Sequence, residues 1–380
     1  MNVCIVGAGI FGMAAALELR RRGHEVTLVE RGEIPNPEAS STDVSKVIRR
    51  TMYPNEIYVE LVTRAAAQWR EWHQRTSRSI YFRTGKLIAV RGFGPEHEAL
   101  AGWETLSRLG KDVTELTVEE VNRRFPQFAV SAEDRLFHDP WAGYLRSGQA
   151  LADLAGLARE AGVEVRENAQ VTAVEETGSG ARVRWASESR DWDRVILAAG
   201  PWVGELLPAM KPRVRITRQQ MAFFVPADPA PFERGRFPVW SILSPGNLWY
   251  GFPRLPEGFV KVAEDSKVDD AAVDVSREPT QQFLAWAREF VAERIPALAG
   301  AELVGGRSCL YTNMADMRDE EFVIDWAPGC RRVLIAGCGC GHGFKFGGAI
   351  GPVIADALED RENHLGDLFR IGDRFEEGAA

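Results

Sequence analysis

The stretch Asn2-Val-Cys-Ile-Val-Gly7-Ala-Gly9-Ile-Phe-Gly12 joins a short apolar run to three glycines in the pattern G-x-G-x-x-G. The apolar run predicts a parallel strand that is buried on both faces. Gly7 allows a tight turn, Gly9 lets the backbone approach a pyrophosphate, and Gly12 lets the next helix pack closely on the strand. The pattern therefore predicts a dinucleotide-binding turn.

The residues after this turn supply the context that the motif requires. A helix over about 11–22 would point its N-terminal amides at the phosphates, and the run 25–29 predicts a second strand. Glu30 follows that strand, where an acidic side chain accepts hydrogen bonds from a ribose diol. The motif does not separate NAD from FAD. However, the later strand-like runs 194–200 and 332–337 also end in glycine, and such dispersed segments are more typical of FAD proteins.

Length and composition limit the class of protein. The 380 residues, 45% of them hydrophobic, suffice for two domains with proper cores. A net charge of -8 argues against a nucleic-acid partner. No apolar stretch is long enough for a membrane span and the first strand begins at residue 2, so we expect a soluble, cytoplasmic protein without a signal peptide. Five cysteines do not suggest a disulfide framework, and Cys338 and Cys340 lack the further ligands of a metal site.

Changes of pattern along the chain predict an α/β protein with two interleaved domains. Helical spacing marks 56–75, 151–161 and 277–295, whereas 80–90, 136–145 and 214–225 read as strands. We expect a Rossmann-like FAD-binding domain from residues 1–80, 146–212 and 305–380. Residues 81–145 and 213–304 would form an α+β substrate domain on a largely antiparallel sheet, with the site in the cleft between the domains.

The second informative stretch is Cys338-Gly-Cys-Gly-His342-Gly-Phe-Lys345-Phe, which lies between a strand and the predicted helix 349–358. A glycine-rich turn before a helix offers backbone amides to a flavin ring or a substrate anion. Lys345 is flanked by phenylalanines among glycines, which favours an anion contact over a solvated side chain. His342 is either an acid or base or a structural histidine.

Five motifs in this order resemble the monomeric sarcosine oxidase family, which includes N-methyltryptophan, pipecolate and fructosyl amino acid oxidases. They are the N-terminal fingerprint, Ser45-Lys-Val-Ile-Arg49-Arg, Tyr250-Gly-Phe-Pro253, Gly306-Arg-Ser-Cys309-Leu-Tyr311-Thr and Gly341-His-Gly-Phe-Lys-Phe346. The resemblance spans nearly the whole chain. It implies an FAD-dependent amine oxidase that acts on a small-molecule amino-acid substrate and on O2, as a monomer or small homo-oligomer.

The same resemblance implies roles for individual residues. Cys309 would be joined through sulfur to the 8α-methyl group of FAD, the alternative being an unmodified buried cysteine. Arg49 and Lys345 would grip the substrate carboxylate, as a planar fork and a point charge. Lys261 would lie next to the flavin and promote its reaction with oxygen. The remaining assignments are Tyr250 and Tyr311 in the amine pocket, Trp202 at the flavin edge or simply packed, and Ser45, Lys46, Val171, Gly200, Gly341 and Gly343 against the cofactor.

Two positions depart from the family's sarcosine oxidases. Lys46 replaces an arginine, and Asp265 replaces an active-site histidine. Sarcosine is therefore not the expected substrate, and Asp265 favours a second amine or a hydroxyl group. Trp240 and Trp249 predict added bulk near the cleft. The predicted reaction is oxidation of a secondary, N-alkyl or cyclic amino acid by hydride transfer to flavin N5. The alternatives are a fructosyl- or saccharopine-type oxidase, a tailoring oxidase of specialised metabolism, a flavin dehydrogenase and a non-catalytic flavin subunit.

Overall fold

The computed structural model of the protein describes residues 1–76, 78–265 and 267–375. Its strands are β1 (Asn2–Val6), β2 (Glu25–Val29), β3 (Lys46–Ile48), β4 (Tyr81–Arg83), β5 (Lys86–Val90), β6 (Thr114–Leu116), β7 (Arg135–Asp139), β8 (Gly143–Leu145), β9 (Glu164–Arg166), β10 (Val171–Glu176), β11 (Ala181–Trp185), β12 (Glu188–Trp192), β13 (Arg194–Leu197), β14 (Val214–Val225), β15 (Val239–Ser244), β16 (Asn247–Gly251), β17 (Val260–Glu264), β18 (Glu302–Met314), β19 (Val323–Trp326) and β20 (Val333–Gly337). Its α-helices are α1 (Ile10–Arg21), α2 (Glu56–Arg75), α3 (Glu98–Arg108), α4 (Val118–Arg124), α5 (Ser147–Glu160), α6 (Val203–Leu206), α7 (Gln281–Arg294) and α8 (Gly347–Leu358).

Within these described residues, a six-stranded sheet has the order β19-β20-β13-β1-β2-β9. Its strands are parallel except for the antiparallel edge pair β19 and β20. Apolar residues on β1, such as Val3 and Ile5, share one buried cluster with residues of α1, α2 and α8. A parallel sheet whose strands are buried on both faces requires such helical cover. This arrangement confirms the predicted Rossmann-like part of the fold.

An eight-stranded sheet has the order β18-β14-β17-β16-β15-β5-β7-β6 and is antiparallel except between β15 and β5. One of its faces packs on α7 through Phe283, Ala287 and Val291. Part of the opposite face packs on α3 through Leu100. The rest of that second face is turned toward the glycine-rich turn before α8. The α+β prediction with a largely antiparallel sheet is thereby confirmed.

Two three-stranded antiparallel sheets, β10-β11-β12 and β3-β8-β4, complete the described strands. The sheet containing β3 matters for the site, because Lys46 lies on that strand. The predicted bounds of the two domains stay a prediction. Among the described residues, the helices are either too short or too polar to cross a membrane.

Candidate active site

The turn between β1 and α1 leaves no room for side chains at two of its glycines. Gly7 has φ of +105°, and a Cβ atom there would lie 2.4 Å from the carbonyl oxygen of Ala198. A Cβ atom at Gly12 would lie 1.9 Å from the carbonyl oxygen of Gly7. The first position therefore needs glycine for the turn, and the second needs it for close packing of the helix.

We predict that Gly12→Ala weakens dinucleotide binding by about tenfold to a hundredfold. The added methyl group overlaps the Gly7 carbonyl, and overpacking of this kind costs about 1–3 kcal/mol. Relief of the overlap moves the amides of α1 away from the phosphates. Titration of FAD into apoprotein that also carries Cys309→Ala, so that no covalent link can hide the loss, measures the effect. Gly156→Ala in α5 is the control, because a Cβ atom there meets nothing within 4 Å. Equal FAD affinity with and without Gly12→Ala in this background would contradict this account of the turn.

Glu30 follows β2 and is buried beside the same turn. Its Oε2 accepts a hydrogen bond from the backbone N–H of Ala8 at 2.8 Å. Its Oε1 accepts one from Nδ2 of Asn36 at 2.8 Å. These bonds hold the carboxylate next to the glycine turn, at the end of the neighbouring parallel strand, where a ribose diol can donate to it.

A groove begins at Glu30 and passes the carboxyl ends of β1, β13 and β20. Glycines of two turns line much of it, so a ligand can approach the backbone closely there. These features fit an adenine dinucleotide whose ribose lies at Glu30. The predicted cofactor-binding residues on its wall are Gly7, Gly9, Glu30, Lys46, Val171, Gly200, Trp202, Gly341 and Gly343.

Trp202 lies on the groove wall together with the residue that follows Glu30. The guanidinium carbon of Arg31 is 4.4 Å from the centre of the Trp202 ring. This cation–π contact gives Trp202 a packing partner within the protein. Its predicted contact with the flavin edge stays a prediction.

A second cavity, of about 670 Å³, lies between the eight-stranded sheet and the turn before α8. Its volume is in the range of small-molecule sites. The predicted residues on its wall are Ser45, Lys46, Arg49, Tyr250, Asp265, Tyr311, Gly341, His342 and Lys345. Four residues line both cavities, namely Lys46, Tyr311, Gly341 and Phe344. A long cofactor in the groove would therefore present its far end to this second cavity.

Strand alternation decides which side chains reach the second cavity. On β16, Tyr250 lines the cavity, whereas Trp249 faces α7 and stacks on Phe290 with 4.4 Å between ring centres. Trp240 on β15 also stacks on Phe290, at 5.9 Å. The prediction that Trp240 and Trp249 add bulk near the cleft is therefore wrong, because both fill the core on the opposite face of the sheet.

The side chain of Lys345 is buried on the wall of the second cavity. Nε1 of Trp69 on α2 donates to the Lys345 carbonyl oxygen at 2.8 Å, which fixes the backbone. The Lys345 ammonium donates to the Tyr53 hydroxyl at 2.9 Å and to the carbonyl oxygen of His342 at 2.5 Å. An ammonium has three N–H groups, so one is without a partner among the described residues and can serve a ligand in the cavity.

His342 holds the Tyr53 side chain in place through its hydrogen bonds. Its Nε2 lies 3.0 Å from the carbonyl oxygen of Glu320 and must donate there, so Nδ1 accepts from the Tyr53 hydroxyl at 3.2 Å. Burial, followed by the charge of Lys345, holds the pKa of His342 well below its usual value. A neutral His342 thus orients Tyr53, which in turn orients Lys345. This arrangement favours the structural alternative for His342 over an acid or base.

Arg49 adds a second cation to the same wall. Its guanidinium carbon is 4.6 Å from the centre of the Tyr53 ring, and Nη1 donates to the carbonyl oxygen of Thr51. Burial, followed by the charge of Arg49, lowers the pKa of Lys345 well below its usual value. A bound anion would offset this repulsion between cations. The pair therefore offers positive charge to an anion in the cavity, and its predicted contact with a substrate carboxylate stays a prediction.

Lys261 is fully buried and forms an ion pair with Asp43. Its ammonium also donates to the carbonyl oxygen of Ser45 at 2.9 Å, and Lys46 Nζ lies 3.6 Å from the same carboxylate. Burial alone would raise the pKa of Asp43, but the charges of Lys261 and Lys46 lower it. Sequence reasoning missed Asp43, because Lys261 lies 218 positions later in the chain.

Cys309 is a buried free cysteine on β18, packed with Ala263 and Tyr311. Burial raises the pKa of its thiol, and Lys46 is the charge that most opposes this rise. Among the described residues, those that line the two cavities do not include Cys309 or Lys261. Tyr311 lines both cavities and packs in the same cluster as Cys309, so the thiol lies beside their junction.

Three further polar side chains line the second cavity. Burial, followed by the charge of Asp265, raises the pKa of the Tyr250 hydroxyl, and burial followed by Tyr250 raises the pKa of Tyr311. Burial raises the pKa of Asp265, although Lys267 opposes the rise. Oδ1 of Asp265 is buried and has no hydrogen-bond partner among the described residues. It is therefore available to an N–H or O–H group of a ligand.

Comparisons with known proteins give the family and the fold. The family model described as FAD dependent oxidoreductase (DAO) matches residues 2–357. Monomeric sarcosine oxidase from Bacillus sp. (strain B-0618) is 28% identical over 97% of this chain and 95% of its own length. N-methyl-L-tryptophan oxidase from Yersinia pestis (strain Pestoides F) is 28% identical over 96% of each chain. The solved L-proline dehydrogenase from P. horikoshii has the same fold, with a TM-score of 0.85 and 21% identity over 99% of this chain and 98% of its own.

Proposed function

This chain belongs to the DAO family of FAD-dependent oxidoreductases, and from that premise we propose that it oxidises a secondary, N-alkyl or cyclic amino acid with O2 as the electron acceptor. The family match and the relatives at 28% identity confirm the resemblance predicted from the motifs. They also make the chain an FAD-dependent oxidoreductase of the amine oxidase type. The substrate, the covalent link and the residue roles below are our proposals.

The observation that carries the proposal is the pairing of Arg49 with Lys345 beside the junction of the two cavities. Both cations line the second cavity, and Lys345 has one N–H group left after its two hydrogen bonds within the protein. A carboxylate held by these cations would keep an amino acid next to the far end of a cofactor bound in the groove. Binding in a fixed orientation is a large part of what such a site contributes to the rate.

The remaining polar groups suit an uncharged secondary amine. Tyr250 and Tyr311 are protonated at neutral pH because burial raises the pKa of both hydroxyl groups. The free Oδ1 of Asp265 can accept a hydrogen bond from the amine or from a second N–H or O–H group. The bound flavin would accept the hydride equivalent from the carbon next to nitrogen at N5 and pass the electrons to O2. The imine product would react with water to give a carbonyl group and an amine group, on two molecules for an N-alkyl substrate and on one ring-opened molecule for a cyclic substrate, while O2 becomes H2O2.

We place Lys261 in the reaction with oxygen. A buried ammonium stabilises negative charge that develops as O2 is reduced, and a dry site strengthens that effect. Asp43 and the carbonyl oxygen of Ser45 hold Lys261 in place. Burial lowers the pKa of Lys261, and the charge of Asp43 opposes this change and so favours the ammonium.

We predict that Cys309→Ala converts a covalently held flavin into one released on denaturation. The thiolate of Cys309 is the proposed nucleophile toward the 8α carbon once that methyl group has lost a proton; the flavin would be left reduced and would pass two electrons to O2. Alanine has no atom that can form this bond. After acid precipitation, wild-type pellets would stay yellow and Cys309→Ala pellets would be colourless. Cys338→Ala, which removes another buried thiol, would leave the colour in the pellet. Free FAD released from denatured wild type would contradict the link.

The proposed reaction is tested by anaerobic mixing of the holoenzyme with a panel of N-alkyl and cyclic amino acids. We expect at least one member to bleach the flavin absorbance and, after air is admitted, to yield stoichiometric H2O2. If no member bleaches the flavin, the substrate class is wrong. If bleaching occurs but the electrons go to a dye and no peroxide forms, the protein is a dehydrogenase instead.

A further inference from the structure

Lys86 is a buried cation that the proposed reaction does not use. It is the first residue of β5, its side chain is only 1% exposed, and it lines the second cavity. The hydrogen-bond partner of its ammonium within the described chain is the sulfur of Met52, at 3.7 Å. A thioether is a weak acceptor and carries no charge, so it does not replace a counter-ion.

The acidic residues near Lys86 are not paired with it. Asp139, opposite Lys86 on the adjacent strand, accepts hydrogen bonds at its Oδ1 from Arg50 at 3.0 Å and from the backbone N–H of Trp141 at 3.0 Å. Its Oδ2 has no hydrogen-bond partner among the described residues, and its charge offsets part of the lowering of the Lys86 pKa by burial and Arg49. Glu98 lines the same cavity from the start of α3, and burial raises the pKa of its carboxyl group. A protonated Glu98 would not repel an incoming anion. A buried ammonium without a paired carboxylate is costly, and a ligand can supply the missing charge.

Lys86 lines the same cavity as Arg49 and Lys345, the pair that would hold the substrate carboxylate. After burial, Arg49 is the group that most lowers the pKa of both Lys86 and Lys345. Arg49, Lys345 and Lys86 all line the same cavity of about 670 Å³. A single carboxylate held by Arg49 and Lys345 would leave Lys86 unpaired.

We propose that Lys86 is a second anion subsite of this cavity and that the substrate is a secondary amino acid with a second carboxylate group. This inference rests on the proposed function and names its substrate class. One carboxylate pairs with Arg49 and Lys345, and the other pairs with Lys86. The amine between them faces the free Oδ1 of Asp265.

Binding of unreactive ligands tests the subsite without any turnover. The probes are the straight-chain dicarboxylates from succinate to pimelate and their monoamides, which keep the shape and lose one charge. We expect the best-fitting dicarboxylate to bind the holoenzyme about 10- to 100-fold more tightly than its monoamide, as measured by calorimetry. In Lys86→Met this ratio should fall to about one, whereas Lys86→Arg should keep part of it.

The control is Lys211→Met, which removes the same charge from an exposed position and should keep the wild-type ratio. Thermal unfolding supplies a second measurement. Lys86→Met should raise Tm, because methionine fills the site without a buried charge. If no dicarboxylate is preferred, if the preference survives Lys86→Met, or if that variant unfolds at lower temperature, the subsite is wrong.

Flavin bleaching separates this inference from the proposed function and locates the second carboxylate. N-methyl-L-glutamate carries it on the side chain, whereas N-(carboxymethyl)-L-alanine carries it on the amine substituent. We expect one of these to bleach the flavin with higher kcat/KM than its neutral amide. Tight dicarboxylate binding without bleaching by any amino acid would overturn the oxidase and keep the subsite. Bleaching with no advantage for the acid over its amide would overturn the subsite alone.

Discussion

Replacing Arg49 by methionine is expected to lower kcat/KM for the amino acid substrate by about 30- to 3000-fold. Loss of one partner from a buried, hydrogen-bonded charge pair costs about 2–5 kcal/mol, and each 1.4 kcal/mol is about tenfold. The loss falls on the bound carboxylate, because Arg49 lines the second cavity rather than the cofactor groove. Steady-state peroxide production measures the change, and the flavin content of the variant should equal that of wild type.

Two matched variants sharpen this prediction. Arg49→Lys keeps the charge but loses the planar fork, so it should recover only part of the activity. Lys345→Met should weaken the same carboxylate contact, because the Lys345 ammonium is the other cation of the pair. With an amino acid methyl ester as substrate, Arg49→Met and wild type should differ little. An equal loss for acid and ester would show that Arg49 acts on folding or on the cofactor instead.

Replacing Lys261 by methionine is expected to slow reoxidation of the reduced enzyme by O2 by about 100- to 1000-fold. That is the typical effect of removing one group that stabilises developing charge in a dry site. Anaerobic reduction by substrate should change much less, since Lys261 is absent from the lining of the described second cavity. Stopped-flow measurements of the two half-reactions separate these effects.

The same variant should unfold more easily, because it leaves Asp43 buried without its main partner. Removing one member of a buried ion pair costs about 3–5 kcal/mol, and the loss would be reduced here by Lys46 at 3.6 Å. Asp43→Asn combined with Lys261→Met should restore much of the stability but not the oxygen reactivity. If the double variant also regained fast reoxidation, Lys261 would have only a structural role.

The sequence alone was sufficient for the fold and for much of the cofactor groove. Both can be predicted from local sequence patterns. The turn after β1 needs glycine at positions 7 and 12 for steric reasons, and Glu30 is the residue directly after β2. Strand and helix periodicity likewise predicted α2 and β14 with the bounds that the structure has. These features depend on neighbours in the chain and are therefore visible without tertiary contacts.

The contacts between the charged residues of the site could not be predicted from local sequence patterns. Tyr53 reaches Lys345 over a separation of 292 positions, and Asp43 and Lys86 gain their importance from burial by distant segments. The prediction that Trp249 lies near the cleft conflicts with strand geometry, because adjacent residues on a strand point to opposite faces. Placing Tyr250 in the cavity should have excluded Trp249 from it.

The most direct measurement of the central claim compares a secondary amino acid with its methyl ester as anaerobic reductants of the wild-type holoenzyme. The pair differs mainly in the charge that Arg49 and Lys345 are proposed to hold. We expect the acid to bleach the flavin with a second-order rate constant at least about 30-fold higher than that of the ester. Equal rates for acid and ester, or no bleaching by any acid of the panel, would contradict the account.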